Sequence, residues 1–313
     1  MRILSSLLLL CSFAGAAHAN LPELRADKNG IGTFAPLAGT DDYRLGDEWG
    51  KRAVSGEELQ TAREAFKRGA LATAKTGGAT GFYLGKFAGV HVMATNHHVY
   101  EGPSQCLNRR VNFPLLGVSV TCRDFLGSWP EVDLALFVVE VAPGDEAKLQ
   151  AVAANFQYNE EVKAGQKLLT IGFGVAGNWL SNVMANEDSD CYVFSKDGEY
   201  RQMADPDRWN PGTYRAWSFA LGCDVSHGDS GSAILDRESG KVIGIIWTGR
   251  IPKSDSVQRS DFLNQLAKNG GSEIWEELSY AVPAKKIGEH LRGLLGSSSL
   301  PENHRAIIEA LLK

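Results

Sequence analysis

Cysteine is scarce in this chain. There are five among 313 residues, and no two stand at the C-x-x-C spacing that would mark a zinc site. Beyond the first nineteen residues, no apolar run approaches the roughly 20 residues that a membrane-spanning helix needs. Neither charge sign dominates: 32 Lys and Arg face 37 Asp and Glu, a net charge of −5, well mixed along the sequence. Nucleic acid and anionic membranes are therefore not implied as partners. No internal repeat is apparent.

The one long apolar stretch sits at the start and reads as a removable address. Arg2 gives the positive end, Ile3 to Ala17 the apolar core, and Ala17-His18-Ala19 the small-x-small cleavage pattern. Cys11 invites a lipoprotein reading, but Leu10 before it is bulky where a small residue is expected. The expected product is a soluble, secreted or periplasmic protein beginning at Asn20. Loss of Arg2 takes its net charge to −6, and Cys106, Cys122, Cys191 and Cys223 remain. Four cysteines in an exported chain read as two disulfides with three connectivities open.

The stretch that organises the rest is Cys223-Asp224-Val225-Ser226-His227-Gly228-Asp229-Ser230-Gly231-Ser232-Ala233. Two glycines flank an Asp-Ser pair, and Ala233-Ile234-Leu235 follows as a strand-like run. A turn of this kind presents a serine, with the N–H groups of Gly228 and Ser230 able to converge on one oxyanion. Alone, it is equally a polar turn between strands. A nucleophilic serine also needs a base, and the base an orienting acid. Val92 to Val99 reads as a strand ending in His97-His98, and Asp133 stands at the mouth of the apolar run Leu134 to Val139. The order His, Asp, Ser is that of the chymotrypsin-type arrangement. The alternative motif G-x-S-x-G fails, because Ser232 stands where the second glycine is needed.

Thr95-Asn96-His97-His98-Val99, Asp133-Leu134-Ala135-Leu136 and Gly228 through Ser232 resemble the three active-site motifs of trypsin-like serine peptidases, especially bacterial secreted and Deg/HtrA-like branches. Val242 to Gly249 resembles the strand lining their substrate cleft, and Tyr280-Ala281-Val282-Pro283 the end of their domain. The resemblance spans about residues 76–290. It implies an all-β fold of two six-stranded antiparallel barrels, here with added N-terminal and C-terminal helices. Short apolar runs with turns every ten or so residues agree with that class. Barrel one is expected at about 76–145 and barrel two at about 162–284, with an N-terminal extension over 20–75 and a helical tail over 291–313. The disulfides expected are then Cys106–Cys122 and Cys191–Cys223, one in each barrel. The trailing peptide-binding domain of Deg/HtrA proteins is not expected here.

The resemblance also implies roles. The threonine-to-histidine spacing makes His98 the base, and an extended backbone turns His97 to the opposite side. Asp133 accepts the other ring N–H, and Ser230 attacks a peptide carbonyl held by the Gly228 and Ser230 amides. No cofactor and no metal are required, and the partners are protein or peptide substrates. The acid six residues before the nucleophile, which floors the specificity pocket in trypsin, is Asp224 here. With Gly249 at the cleft wall it points to cleavage after Arg or Lys, and Trp247 and His227 join the substrate-binding set. The competing readings are an inert peptidase-shaped binding protein and an esterase with the same triad. Intact His98, Asp133 and Ser230 argue against the first.

Two features lie outside these motifs. Ser55 is an N-cap with Glu58 reaching back, and Leu59, Ala62, Phe66 and Ala70 predict one helix over Glu57 to Thr73. Cys191 to Ser195 and Glu199 to Met203 suggest a hairpin. In trypsin a freshly cut N-terminus inserts beside the acid preceding the nucleophile, a position Asp229 holds here. Lys51-Arg52 before Ala53 superficially resembles the cut site. The capped helix that follows argues instead for a site formed without cleavage.

Overall fold

The computed structural model of the chain describes residues 24–26, 32–34, 40–174, 182–206, 214–269 and 272–313. The expected leader, residues 1–19, lies outside them. The chain separates into the units Met1–Ala35 and Pro36–Lys313. In the first, strand β1 (Leu24–Ala26) pairs antiparallel with β2 (Gly32–Phe34). All that follows concerns the second.

This unit leads with strand β3 (Lys51–Ala53) and two helices, α1 (Gly56–Thr61) and α2 (Glu64–Ala72). The single helix predicted over Glu57 to Thr73 is thus broken at Ala62 and Arg63, which take extended backbone angles. The break lets Arg63 reach Glu187 and the Arg237 carbonyl on another part of the fold. Ser55 does cap α1, accepting the Glu58 N–H at 3.0 Å. The Glu58 carboxylate turns to Arg52 instead of back to the cap. Leu59, Phe66 and Ala70 are buried as their spacing requires.

Six strands then close a barrel: β4 (Thr73–Thr76), β5 (Ala79–Phe87), β6 (Val90–Thr95), β7 (Arg110–Phe113), β8 (Val118–Trp129) and β9 (Leu134–Glu140). Their order round the barrel is β4-β5-β6-β9-β8-β7. β9 lies between β6 and β8, and its Leu134 to Val139 run is buried on both faces. Cys106, in the short helix α3 (Pro103–Cys106), bonds to Cys122 on β8, so the disulfide ties the loop after β6 to the barrel wall.

Helix α4 (Glu146–Gln150) lies in the connection to the second sheet. Here β10 (Leu168–Gly172), β11 (Met184–Asn186), β12 (Arg201–Met203), β13 (Ala216–Leu221), β14 (Ala233–Asp236), β15 (Val242–Gly249) and β16 (Ser279–Pro283) take the order β12-β13-β16-β15-β14-β10-β11-β3. The expected second six-stranded barrel is thus an eight-stranded antiparallel sheet, and β3 from the N-terminal extension forms one edge. The segment after Cys191 bridges two of its strands. Leu168 donates to Cys191 O and Val193 to Gln166 O on the β10 side, while Phe194 donates to Ala220 O and Gly222 to Tyr192 O on the β13 side. Cys191 is locked to Cys223 at the same place. The expected hairpin of Cys191 to Ser195 with Glu199 to Met203 is not what forms: β12 pairs with β13.

Helix α5 (Ser260–Asn269) lies between β15 and β16. Two more close the chain as predicted, α6 (Ala284–Leu295) and α7 (Glu302–Leu311), burying Ile287, Leu291, Ile307, Ile308 and Leu311. Among the described residues no helix is long and apolar enough to cross a membrane.

Candidate active site

β6 ends at Thr95, and the next residue begins the site. Asn96 is fully buried, and its amide donates to the Asp133 carbonyl at 2.8 Å. That bond sets the turn carrying His98 against the turn carrying Asp133. Asp133 follows a short 3-10 turn, Pro130–Val132, with φ 34°, a left-handed angle that Asp tolerates better than most residues. Its buried carboxylate grips His98 twice. Oδ2 lies 2.8 Å from Nδ1, and Oδ1 accepts the His98 backbone N–H at 3.0 Å. An ionised carboxylate only accepts, so Nδ1 carries the proton and the lone pair is on Nε2. His97 turns elsewhere: its Nδ1 is 2.6 Å from Ser128 Oγ, and its ring lies 5.8 Å from that of Tyr214.

The serine turn is held between both halves. Thr80 of β5 donates its N–H to Ser230 O at 2.9 Å and its hydroxyl to Gly228 O at 2.7 Å. Thr95, three residues before His98, donates its hydroxyl to Thr80 O at 2.7 Å. Gly231 has φ 85°, and a Cβ there would lie 2.0 Å from Thr80 O, so only glycine lets the turn approach the barrel this closely. Within the turn Ser226, Asp229 and Ser232 are buried, while His227 is exposed and Gly228 and Ser230 are half-buried. Among the described residues no acceptor takes the N–H of Gly228 or of Ser230.

Asp229 points inward. Its Oδ1 accepts Gly174 N–H at 3.1 Å and its Oδ2 accepts Ser226 N–H at 2.8 Å, and Oδ2 is also ion-paired with the ammonium of Lys51. Gly172 and Gly174 are small for this reason. A Cβ on the first would meet Ser232 Oγ at 2.0 Å, and one on the second Asp229 Oδ2 at 2.0 Å. The sequence marked Lys51 only as part of a resemblance to a cut site, not as a partner of Asp229. It lies 178 residues from Asp229, and no local spacing links them.

Among the expected specificity residues, Asp224 is placed otherwise than its motif implied. Asp224 has no exposure, and both its oxygens are taken, by Leu45 N–H and Gly50 N–H at 2.7 Å each. Burial, and after it the neighbouring Asp188, push its carboxyl well above the usual carboxylate range. It ties down the N-terminal segment and does not present a charge to a substrate side chain. Gly249 is buried, and the nearest atoms to a Cβ there are Ser279 Cα at 3.1 Å, Leu278 O at 3.2 Å and Lys253 Nζ at 3.2 Å. Trp247 is buried, donating to Ser218 Oγ at 2.9 Å. His227 lies edge-on to Tyr43, with ring centres 6.1 Å apart. Both disulfides join the expected cysteines. Among the described residues no group of His, Cys, Asp and Glu is arranged to hold a metal.

Residues 79–245 match the family model described as the trypsin-like peptidase domain. No curated protein matches the chain. Among solved structures, it is similar to the inactive form of the protease Rv3671c, with 19% identity over 74% of this chain and 92% of that one, at a TM-score of 0.46. A mutant of the same protein from M. tuberculosis H37Rv, also in the inactive form, gives 17% identity over 80% of this chain and 99% of that one, at 0.48. The HtrA-type protease AlgW with decapeptide gives 18% over 69% of this chain, at 0.43. The match covers 51% of the AlgW chain, about half its length.

Proposed function

The chain belongs to the trypsin-like peptidase domain family, and on that premise we propose that this serine endopeptidase works through His98, Asp133 and Ser230. The observation that carries the assignment is the double grip of Asp133 on His98, made through both the ring and the backbone. On this reading Nε2 is the proton acceptor. The Ser230 hydroxyl oxygen attacks the peptide carbonyl carbon as its proton passes to His98. The carbonyl oxygen takes up negative charge against the Gly228 and Ser230 amides. His98 then gives the proton to the departing amine, leaving an ester on Ser230. Water, deprotonated by the same histidine, hydrolyses that ester and restores the serine.

Cleavage after Arg or Lys is not part of the proposal, because Asp224 is engaged by the chain itself. Export is part of it. Two disulfides belong to an oxidising compartment, and residues 1–19 carry the pattern of a secretory leader.

The test is reaction with a fluorophosphonate, followed by digestion of a diverse peptide pool. The wild type should be labelled on Ser230 and cut peptides, and Ser230→Ala should do neither while keeping both disulfides. A wild type that is not labelled would be an inert binder. One that is labelled but hydrolyses only esters would be an esterase.

A further inference from the structure

The ion pair between Lys51 and Asp229 is the most deeply buried in the described structure, with both side chains 1% exposed. Removing two charges from water is expensive, and the attraction between them repays it only when the remaining hydrogen-bonding capacity is also met. Here it is. Lys51 Nζ has three protons and three acceptors: Asp229 Oδ2, the Gly174 carbonyl at 2.8 Å and Ser226 Oγ at 3.2 Å. The carboxylate it meets belongs to the residue directly before Ser230. Turning that carboxylate would turn the peptide groups on either side of Asp229, one of which carries the Ser230 N–H, and would shift Gly228, whose N–H lies one peptide further back.

The cation arrives on an uncut chain. β3 pairs with β11 in the register Lys51↔Asn186, Arg52↔Ala185 and Ala53↔Met184, which sends Lys51 inward and Arg52 outward to Glu58 and Glu187. The residues before β3 are fastened by the two amides that cap Asp224. Gly50 is pressed so close that a Cβ would fall 1.6 Å from Asp188 Oδ2. Three separate devices therefore hold one ammonium under the serine turn.

We propose that Lys51 is a positioning residue of this peptidase: from within the intact chain it supplies the positive charge that holds Asp229, and so keeps the oxyanion amides in place without proteolytic activation. A cut after Arg52 would sever the strand that carries it. The proposal rests on the assignment of Ser230 and its amides given above.

The experiment uses the full chain and compares wild type, Lys51→Met and the double variant Lys51→Met/Asp229→Asn. The probes are phosphonylation by a fluorophosphonate and turnover of p-nitrophenyl acetate, alongside thermal melting and N-terminal sequencing of the active wild type. Lys51→Met should lose about 100-fold or more in kcat with a smaller change in KM, the scale of losing an oxyanion donor. The double variant, relieved of an unpaired buried charge, should regain thermal stability but not kcat. Recovery of kcat together with stability would reduce the pair to a structural role and overturn the proposal. So would a folded Lys51→Met enzyme with kcat within threefold of wild type, or active wild type whose chain starts after Lys51. If the wild type itself fails to react, the fault lies with the assignment of Ser230 and not with Lys51.

Discussion

Thr80 and Ser230 are joined across the two halves of the fold by a backbone hydrogen bond of 2.9 Å, and the Thr80 hydroxyl doubles the link. That hydroxyl donates to Gly228 O at 2.7 Å and accepts the Phe173 N–H at 2.9 Å. Thr80→Val keeps the shape and the backbone bond but takes the hydroxyl partner from the buried Phe173 N–H, at a cost of about 1–3 kcal/mol, and from the half-buried Gly228 O. The expected outcome is a lower melting temperature together with a fall in kcat, because the turn bearing Ser230 loosens. Unchanged kcat in a destabilised variant would show that Gly228 does not depend on Thr80.

The adjacent histidines should separate cleanly. His98→Ala should reduce kcat/KM by about 1000-fold or more, as removal of one member of a unit does. His97→Ala removes a contact with Ser128 and a ring neighbour of Tyr214, so it should cost less than about tenfold. Peptide kinetics on both variants decide the matter, and a dead His97 variant beside an active His98 variant would reverse the assignment.

Asp224 makes a prediction against its motif. Asp224→Asn should leave the preference at the cleavage position unchanged, as read from peptides cut by each enzyme. It should lower the melting temperature, because one of the Leu45 and Gly50 amides loses its acceptor. A loss of basic preference in the variant would restore Asp224 to the substrate pocket.

His290 predicts a pH dependence of stability. Burial pushes its pKa below the usual histidine value, and its Nε2 is buried without a hydrogen-bond partner among the described residues. A lowered pKa in the folded state means that the neutral ring is favoured by folding. Its contribution is therefore present above the ordinary pKa of about 6.5 and is lost as pH falls through the folded value. Melting curves at pH 8 and pH 5 should show a smaller acid-side drop for His290→Leu than for wild type. Equal drops would remove His290 from the account.

The serine turn and the proposed base and acid, His98 and Asp133, were legible because each lies in a short motif whose chemistry needs adjacent residue types. Gly228 to Ser232 brackets a nucleophile, and Asp133 opens an apolar strand. The first barrel was legible from alternating and continuous apolar runs between turns. The cysteine pairing followed once the two halves were placed in order. The break in the predicted helix was not visible, because the contact it allows, Arg63 with Glu187, joins residues 124 positions apart. β4 was likewise hidden, since Thr73 to Thr76 are equally able to end a helix or begin a strand.

What the sequence determined by itself, then, is the choice of His98, Asp133 and Ser230 as the proposed reacting groups, and the β-rich scaffold, because local spacing and hydrophobic period write both into neighbouring positions. What only the tertiary structure decided is where the buried charges go. Asp224 had the motif of a specificity residue, yet it is consumed by two amides of the N-terminal segment. Lys51 had the look of half a cleavage site, yet it is folded under the serine turn onto Asp229. A buried charge must find its partner wherever the chain brings one, and these partners lie more than a hundred residues away, beyond the reach of any local pattern.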